Sequence, residues 1–309
     1  MAKSLSNSVK PIKGGLMYSS TADKIFDTCN YIILSIVMLL VLYPLVFVLS
    51  ASVSDPLEVV TGRVVLWPRG FTLDSYGRVF SNPTIIRGYA NSIFYTILGT
   101  SLSMILTTFA AFALSRPDLR GRKFFTIMIT LTMFFSGGMI PLYLVVQKLG
   151  LIGNFWSIIL PSLMSAYNMI IMRSYFQASI PFSIQEAAVI DGYSPLKLLT
   201  KIILPLSVPV IAVVALYYGV ARWNSYFSCM LYMGSQKEWW TLQLVIREIV
   251  IQSTTTEMMD VGLVSLDQIM AKEAIKYTVI IVSSLPLLIV YPFIQKHFVK
   301  GVMIGAVKG

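Results

Sequence analysis

Charge is scarce in this chain of 309 residues. Asp, Glu, Lys and Arg together supply 12% of it, about half the share of a soluble domain. Histidine is scarcer, with His297 alone, and that excludes a multi-histidine zinc site. The two cysteines, Cys29 and Cys229, fall near opposite membrane faces on the topology derived below, which argues against an internal disulfide. There is no G-x-x-x-x-G-K-[ST] run, and so no loop whose backbone N–H groups would cradle a nucleotide phosphate. No serine or cysteine sits in an activating setting. The chain reads as non-enzymatic and is expected to bind no cofactor or metal of its own.

What the sequence does have is apolar surface: 56% hydrophobic residues and a mean hydropathy of +0.75. One globular core cannot hide that much, and the bilayer is its natural solvent. A membrane-crossing helix needs roughly 20 mostly apolar residues. Six stretches qualify, at about Tyr31–Leu49, Ala90–Leu114, Phe124–Val146, Leu151–Met172, Ile202–Ala221 and Tyr277–Phe293, and none carries an internal Asp, Glu, Lys or Arg. Such continuous runs make helices, since barrel strands would alternate. The expected fold is an all-α membrane protein of six transmembrane helices. Its parts are a polar N-terminal segment over 1–30, a six-helix domain over 31–294 and a C-terminal tail over 295–309. The first span lies too far into the chain for a cleaved signal and reads as an uncleaved anchor.

Orientation follows from Lys and Arg. With the N-terminus inside, the inner segments carry 14 basic against five acidic residues, and the outer loops ten against nine. The cluster Arg116, Arg120, Arg122 and Lys123 between spans two and three is decisive, and it places both termini in the cytoplasm. The net charge of +10 thus expresses topology and attraction to anionic lipid. It does not express nucleic-acid binding, because no basic helix with interleaved stacking aromatics stands outside the membrane.

Three connecting segments are long. The outer ones, Val53–Tyr89 and Arg222–Lys276, include a short amphipathic stretch at Leu242–Ile251; they either meet an external partner or cap the bundle. The inner one carries the strongest signal. From about 179 to 205 it reads Glu186-Ala187-Ala188, three residues, Gly192, nine residues, Ile202, one residue, Leu204-Pro205. Pro181 can open a helix, Gly192 can close it in the left-handed conformation, and Ser194 can cap a second helix with Pro195 at its first position. On local chemistry, Ser183 and Glu186 match a capping box; a docking role for Glu186 is the other reading.

This segment resembles the EAA loop of permeases of binding-protein-dependent type I ABC importers. The run Ile140–Pro161 and the ending Tyr291–Gly309 are similar to MalG-like carbohydrate permeases. Ser136-Gly-Gly-Met-Ile-Pro141 and Trp223-Asn-Ser-Tyr-Phe227 resemble the LplC/YtcP-type branch. The resemblance implies a multi-pass subunit in the bacterial cell membrane that imports oligosaccharides or sugar derivatives. Its implied partners are a homologous second permease, two cytoplasmic ATPase subunits that use ATP and Mg, and an extracytoplasmic solute-binding protein. It implies that Glu186, Ala187, Ala188, Asp191, Gly192, Ile202, Leu204 and Pro205 form a coupling helix docked on the ATPase. The tail around His297 either reaches the ATPases or lies at the membrane surface.

Sugars bind flat aromatic faces, amides and guanidinium groups. Among the polar residues in or beside the spans (Asn91, Asn154, Tyr167, Asn168, Tyr217, Tyr218, Arg222), Tyr218 is a candidate for the solute pathway, as are Trp223 and Asn224. An aromatic belt at the outer interface accounts for the same residues. Two rival readings are the same architecture carrying a peptide, amino acid or opine, and a stand-alone secondary carrier. The second would call for inverted repeats or intramembrane ionic groups.

Overall fold

The computed structural model describes residues 21–259 and 266–306, and the elements among them are helices, with no strand. The chain divides into two compact units, Met1–Phe47 and Val48–Gly309. The first unit contains most of α1 (Thr21–Ser52), whose apolar side chains are exposed almost throughout. A helix of hydropathy 3.0 suits lipid, where its backbone is satisfied internally.

The second unit begins with two short helices, α2 (Pro56–Val60) and α3 (Asp74–Ser81), and then the long α4 (Pro83–Ser115). There follow α5 (Arg122–Phe134), α6 (Met139–Lys148), α7 (Trp156–Ile159), α8 (Ala166–Ser179) and α9 (Phe182–Ile190). The chain continues through α10 (Pro195–Leu198), α11 (Leu204–Leu206), α12 (Val208–Trp223), α13 (Phe227–Met233), α14 (Leu242–Met259) and α15 (Leu266–Ala306). The amphipathic stretch thus runs past Ile251 as α14, and α15 continues without a break through residue 295.

Helix α4 is the spine, packing against α8, α12 and α14, while α12 packs against α15. Its buried seam includes small residues four or seven apart: Gly88, Ser92, Gly99, Ser103, Thr107 and Ala111. Small side chains let helix backbones approach closely in lipid, where no hydrophobic force separates helix from solvent. At Gly88, a Cβ would lie 3.3 Å from the Leu242 backbone. Ser92 Oγ accepts the Leu242 N–H at 2.8 Å, and Asn91 Nδ2 donates to the Glu238 and Trp240 carbonyls at 2.8 and 3.0 Å. The segment leading into α14 is stapled to α4 in this way. One buried cluster, including Tyr95, Ile159, Trp223 and Leu242, fills that end, and a second, including Phe112, Met172, Phe176, Leu198 and Val214, fills the other.

The helices depart from six straight spans in a specific way. Among the described residues three are long and apolar enough to cross unbroken: Thr21–Ser52, Pro83–Ser115 and Ile275–Phe293. The third apolar stretch is two helices, α5 and α6, turned by 112° around residues 135–138, where Gly138 has φ +87°. The fifth is bent by 87° between Pro195–Leu206 and Val208–Trp223. The fourth passes through α7 and a 3₁₀ turn at Leu160–Ser162 before α8. Counting each bent pair once gives five candidate spans.

Candidate functional site: a surface helical hairpin and an aromatic cavity

The hairpin of α9 and α10 carries the EAA residues. Helix α9 ends in a Schellman arrangement: Gly192 takes φ +77°, the Tyr193 N–H donates to the Ala188 carbonyl at 2.9 Å, and the Gly192 N–H donates to Val189 at 3.0 Å. Two otherwise orphaned carbonyls are satisfied by this closure. Asp191 occupies the C-cap, its N–H bonded to Ala187. Ser194 Oγ accepts the Lys197 N–H at 3.3 Å and Pro195 opens α10, as the sequence leads one to expect. The Lys197 ammonium stacks over the Tyr193 ring at 4.1 Å, which ties the turn to the second helix.

The capping box does not form. Helix α9 starts at Phe182, one residue ahead of Ser183, and its cap is Pro181, which has no side-chain oxygen to offer. Glu186 is therefore not engaged at a cap; it is exposed, as are Ala187, Val189 and Asp191. Ala188 turns the other way, into the buried cluster with Leu198, Leu199 and Ile203. An apolar residue at the end of the outward face, Ile190, is 86% exposed. The Glu186–Ala187 face of α9 thus stands open while its Ala188 face is anchored.

Beyond α10 the chain widens into a π turn at Leu199–Ile203, with the Leu204 N–H bonded back to Leu199. The π turn comes just before Pro205, a residue with no N–H to give to the previous turn. Ile202 and Leu204 are half-buried and Pro205 is exposed. At Ser207, which is fully buried, the axis turns and α12 begins. The hairpin and α12 are thus one continuous piece of chain with an elbow.

Helix α12 leads to a cavity of about 920 Å³. Its wall comes from the start of α8 (Tyr167, Asn168), the later turns of α12 (Tyr217, Tyr218) and α15 (Leu287, Tyr291), with Ser162 between α7 and α8. The Tyr167 and Tyr217 rings lie 6.3 Å apart. Tyr218 lines this cavity, but its hydroxyl is committed: it accepts the Ser165 N–H at 2.9 Å and shares a 2.7 Å hydrogen bond with Thr107 Oγ1. Trp223 lies elsewhere, 4% exposed, with Nε1 donating to the Ser283 carbonyl at 3.0 Å and its ring edge-on to Tyr89. Asn224 is exposed and donates to the Val220 carbonyl at 3.0 Å. Of the three pathway candidates, only Tyr218 reaches the cavity. Tyr167, Asn168 and Tyr217 join it there, and Tyr291 was not among the sequence candidates because it falls in the terminal run.

Arg222 is the most buried charge near this wall, at 9% exposure. Its Nη2 donates to Ser103 Oγ at 2.8 Å and to the Ser162 carbonyl at 3.1 Å, and Nη1 donates to Ser162 Oγ at 3.3 Å.

A bundle of broken helices on a small-residue spine, with a capped hairpin at one surface running directly into a cavity-lining helix, defines a membrane transport permease. The chain belongs to the family of binding-protein-dependent transport system inner membrane components, whose model matches residues 101–304. It is 42% identical over 289 residues to the polygalacturonan/rhamnogalacturonan transport system permease protein YtcP of Bacillus subtilis, covering 93% of this chain and 99% of that one. To LplC of the same organism it is 39% identical, over 95% and 98% of the two chains. Among solved structures, it matches a bacterial ABC transporter involved in the import of the acidic polysaccharide alginate, with 36% identity and a TM-score of 0.82 over 90% of this chain and 98% of that one. The family and branch read from the sequence are those found. The type I ABC importer permease fold stands with them, and the chain is a multi-pass membrane subunit of a transport system.

Proposed function

We propose that this chain is one of two permease subunits of an ATP-driven importer for acidic oligosaccharides, coupled to its ATPases through α9. The observation that carries the coupling is the pairing of an open Glu186–Ala187 face with an anchored Ala188 face on a helix closed firmly at Gly192. A partner groove can grip such a helix without unfolding it. Glu186 would face a basic residue of the ATPase, and Ala187 would permit close approach. Asp191 would brace the turn, while Ile202, Leu204 and Pro205 carry the motion into the elbow.

The solute class is supported by the relatives, one named for polygalacturonan and rhamnogalacturonan and another for alginate import. All three are polymers bearing uronic acids. A solute-binding protein would deliver the oligosaccharide from outside, and a homologous second permease would complete the pathway. Both termini would lie in the cytoplasm, as the basic cluster Arg116–Lys123 requires. ATP and Mg²⁺ would bind to the two partner ATPases. Closure of the ATPase pair on ATP would draw the α9 hairpins together. Because α12 follows Ser207 without interruption, the movement would swing Tyr217 and Tyr218 and open the cavity outward. The span count in the membrane would be six if the segment through α7 and α8 crosses with the two bent pairs.

The test is reconstitution of the complete complex in lipid with its binding protein. An acidic oligosaccharide should stimulate ATP hydrolysis, and peptides or amino acids should not. Stimulation by a peptide instead would replace the solute class, and uptake by this chain alone would remove the ABC reading.

A further inference from the structure

Two features place positive potential at one side of the aromatic cavity, the Arg222 guanidinium and the N-terminus of α8. Arg222 is more than nine-tenths buried, and its three hydrogen bonds go to a serine carbonyl and two serine hydroxyls, all neutral. Its Nε is buried with no acceptor among the described residues. A full charge held by neutral dipoles is costly unless an anion shares the site for part of the working cycle. The seat is also built for this side chain, since Gly99 leaves the space a Cβ would occupy at 2.6 Å from Arg222 Cζ.

The seat lies directly behind the cavity wall. Ser162 takes two of the Arg222 hydrogen bonds and itself lines the cavity, as does Ala221, the neighbour of Arg222 in the chain. The 14-residue helix α8 begins at the same wall: its cap Ser165 and first-turn residues Tyr167 and Asn168 line the cavity. A helix N-terminus carries about half a positive charge and unpaired N–H groups. None of the cavity-lining residues is acidic.

We infer that Arg222 and the N-terminus of α8 make the cavity an anion-selective sugar subsite, in which the ring of a uronic-acid residue packs on Tyr167 and Tyr217 and its carboxylate faces Ser162. This inference rests on the reading of the chain as an acidic-oligosaccharide permease and assigns a residue to that selectivity. Arg222 acts from behind Ser162, so its charge sets the preference, while the aromatic rings bind the sugar face whether or not it is charged.

The test uses the complete permease–ATPase complex in lipid nanodiscs without its binding protein, so that the cavity alone is read. The probes are trigalacturonate and its fully methyl-esterified, neutral counterpart. A buried charge acting through Ser162 at short range in a low-dielectric wall supports a preference for the acid on the order of tenfold. In Arg222→Gln and Arg222→Met that preference should fall to about one with the ester bound as before, and Arg222→Lys should retain much of it. A wild-type complex that binds both probes equally, or a neutral variant that keeps the preference, overturns the inference. The wild-type comparison decides the matter even where a variant fails to assemble. Equal binding alongside oligosaccharide-stimulated ATP hydrolysis removes this inference alone. If the binding protein delivers the sugar and hydrolysis is still not stimulated, the solute reading falls as well.

Discussion

The guanidinium of Arg222 occupies the space that a side chain on Gly99 would need: a Cβ there would lie 2.6 Å from Arg222 Cζ and 2.7 Å from Nε. Gly99→Ala should therefore push the guanidinium off Ser103 and Ser162. Overpacking a fitted site costs about 1–3 kcal/mol, and a buried charge robbed of partners adds to that. The check is thermal unfolding of the purified complex, in which Gly99→Ala should melt well below wild type. Gly77→Ala, where a Cβ meets nothing within 4 Å, is the control for a glycine without this role.

Tyr218→Phe keeps the ring and removes the hydroxyl that joins α4 to the start of α8. The Ser165 N–H then loses its acceptor inside the bundle, at a cost of about 1–3 kcal/mol. Stability should fall while saccharide binding changes little, because that hydroxyl is committed to Thr107 and Ser165. Tyr217→Ala should do the reverse, lowering affinity for acidic and neutral saccharides together with little loss of stability. Ligand binding and melting measured on both variants separate the two roles.

Gly192→Ala places a Cβ in open space but in the left-handed conformation, φ +77°. The cost is conformational alone, about 1–2 kcal/mol, and it falls on the turn that closes α9. Membrane insertion should be unchanged, with weaker solute stimulation of ATP hydrolysis.

In the turn between α4 and α5, Arg116 grips Asp118 with two hydrogen bonds of 2.9 Å. The side-chain hydrogen bonds from Arg116 hold the carboxyl below its ordinary value of 3.8. A depressed carboxylate pKa stabilises the folded state above the unfolded value, and the benefit is lost as pH falls through the folded one. Asp118→Asn should therefore be slightly less stable than wild type at neutral pH, by less than about 1 kcal/mol since Asp118 is exposed. The difference should persist to pH 3.8 and vanish below it. Melting of the two forms across that range is the measurement.

Much of the hairpin was legible because its signals are local. Gly192 needs positive φ, Ser194 can cap and Pro195 fits a first turn, so neighbouring residues suffice to place the turn. The capping box, one of the two readings local chemistry offers for Ser183 and Glu186, does not form, because the helix begins at Phe182. Hydropathy found the apolar segments and could not see that two of them bend. Bends are tolerated where the surrounding protein satisfies the freed backbone groups, and that depends on tertiary contacts. Proline was no guide, since Pro44, Pro286 and Pro292 sit inside unbroken helices. The pair Gly137-Gly138 ahead of Pro141 was the better hint. The Arg222 seat was hidden because its parts, Gly99, Ser103 and Ser162, lie 60 or more positions away along the sequence.

The coupling role of α9 is the central claim, and the most direct measurement is solute-stimulated ATP hydrolysis with ATPase copurification for Glu186→Ala and Ala187→Arg beside wild type. Both positions are exposed, so neither change disturbs the core. The account predicts that both variants insert normally, that Ala187→Arg loses the ATPase, and that Glu186→Ala loses most of the stimulation. Variants that hold the ATPase and respond to solute as wild type does would contradict it.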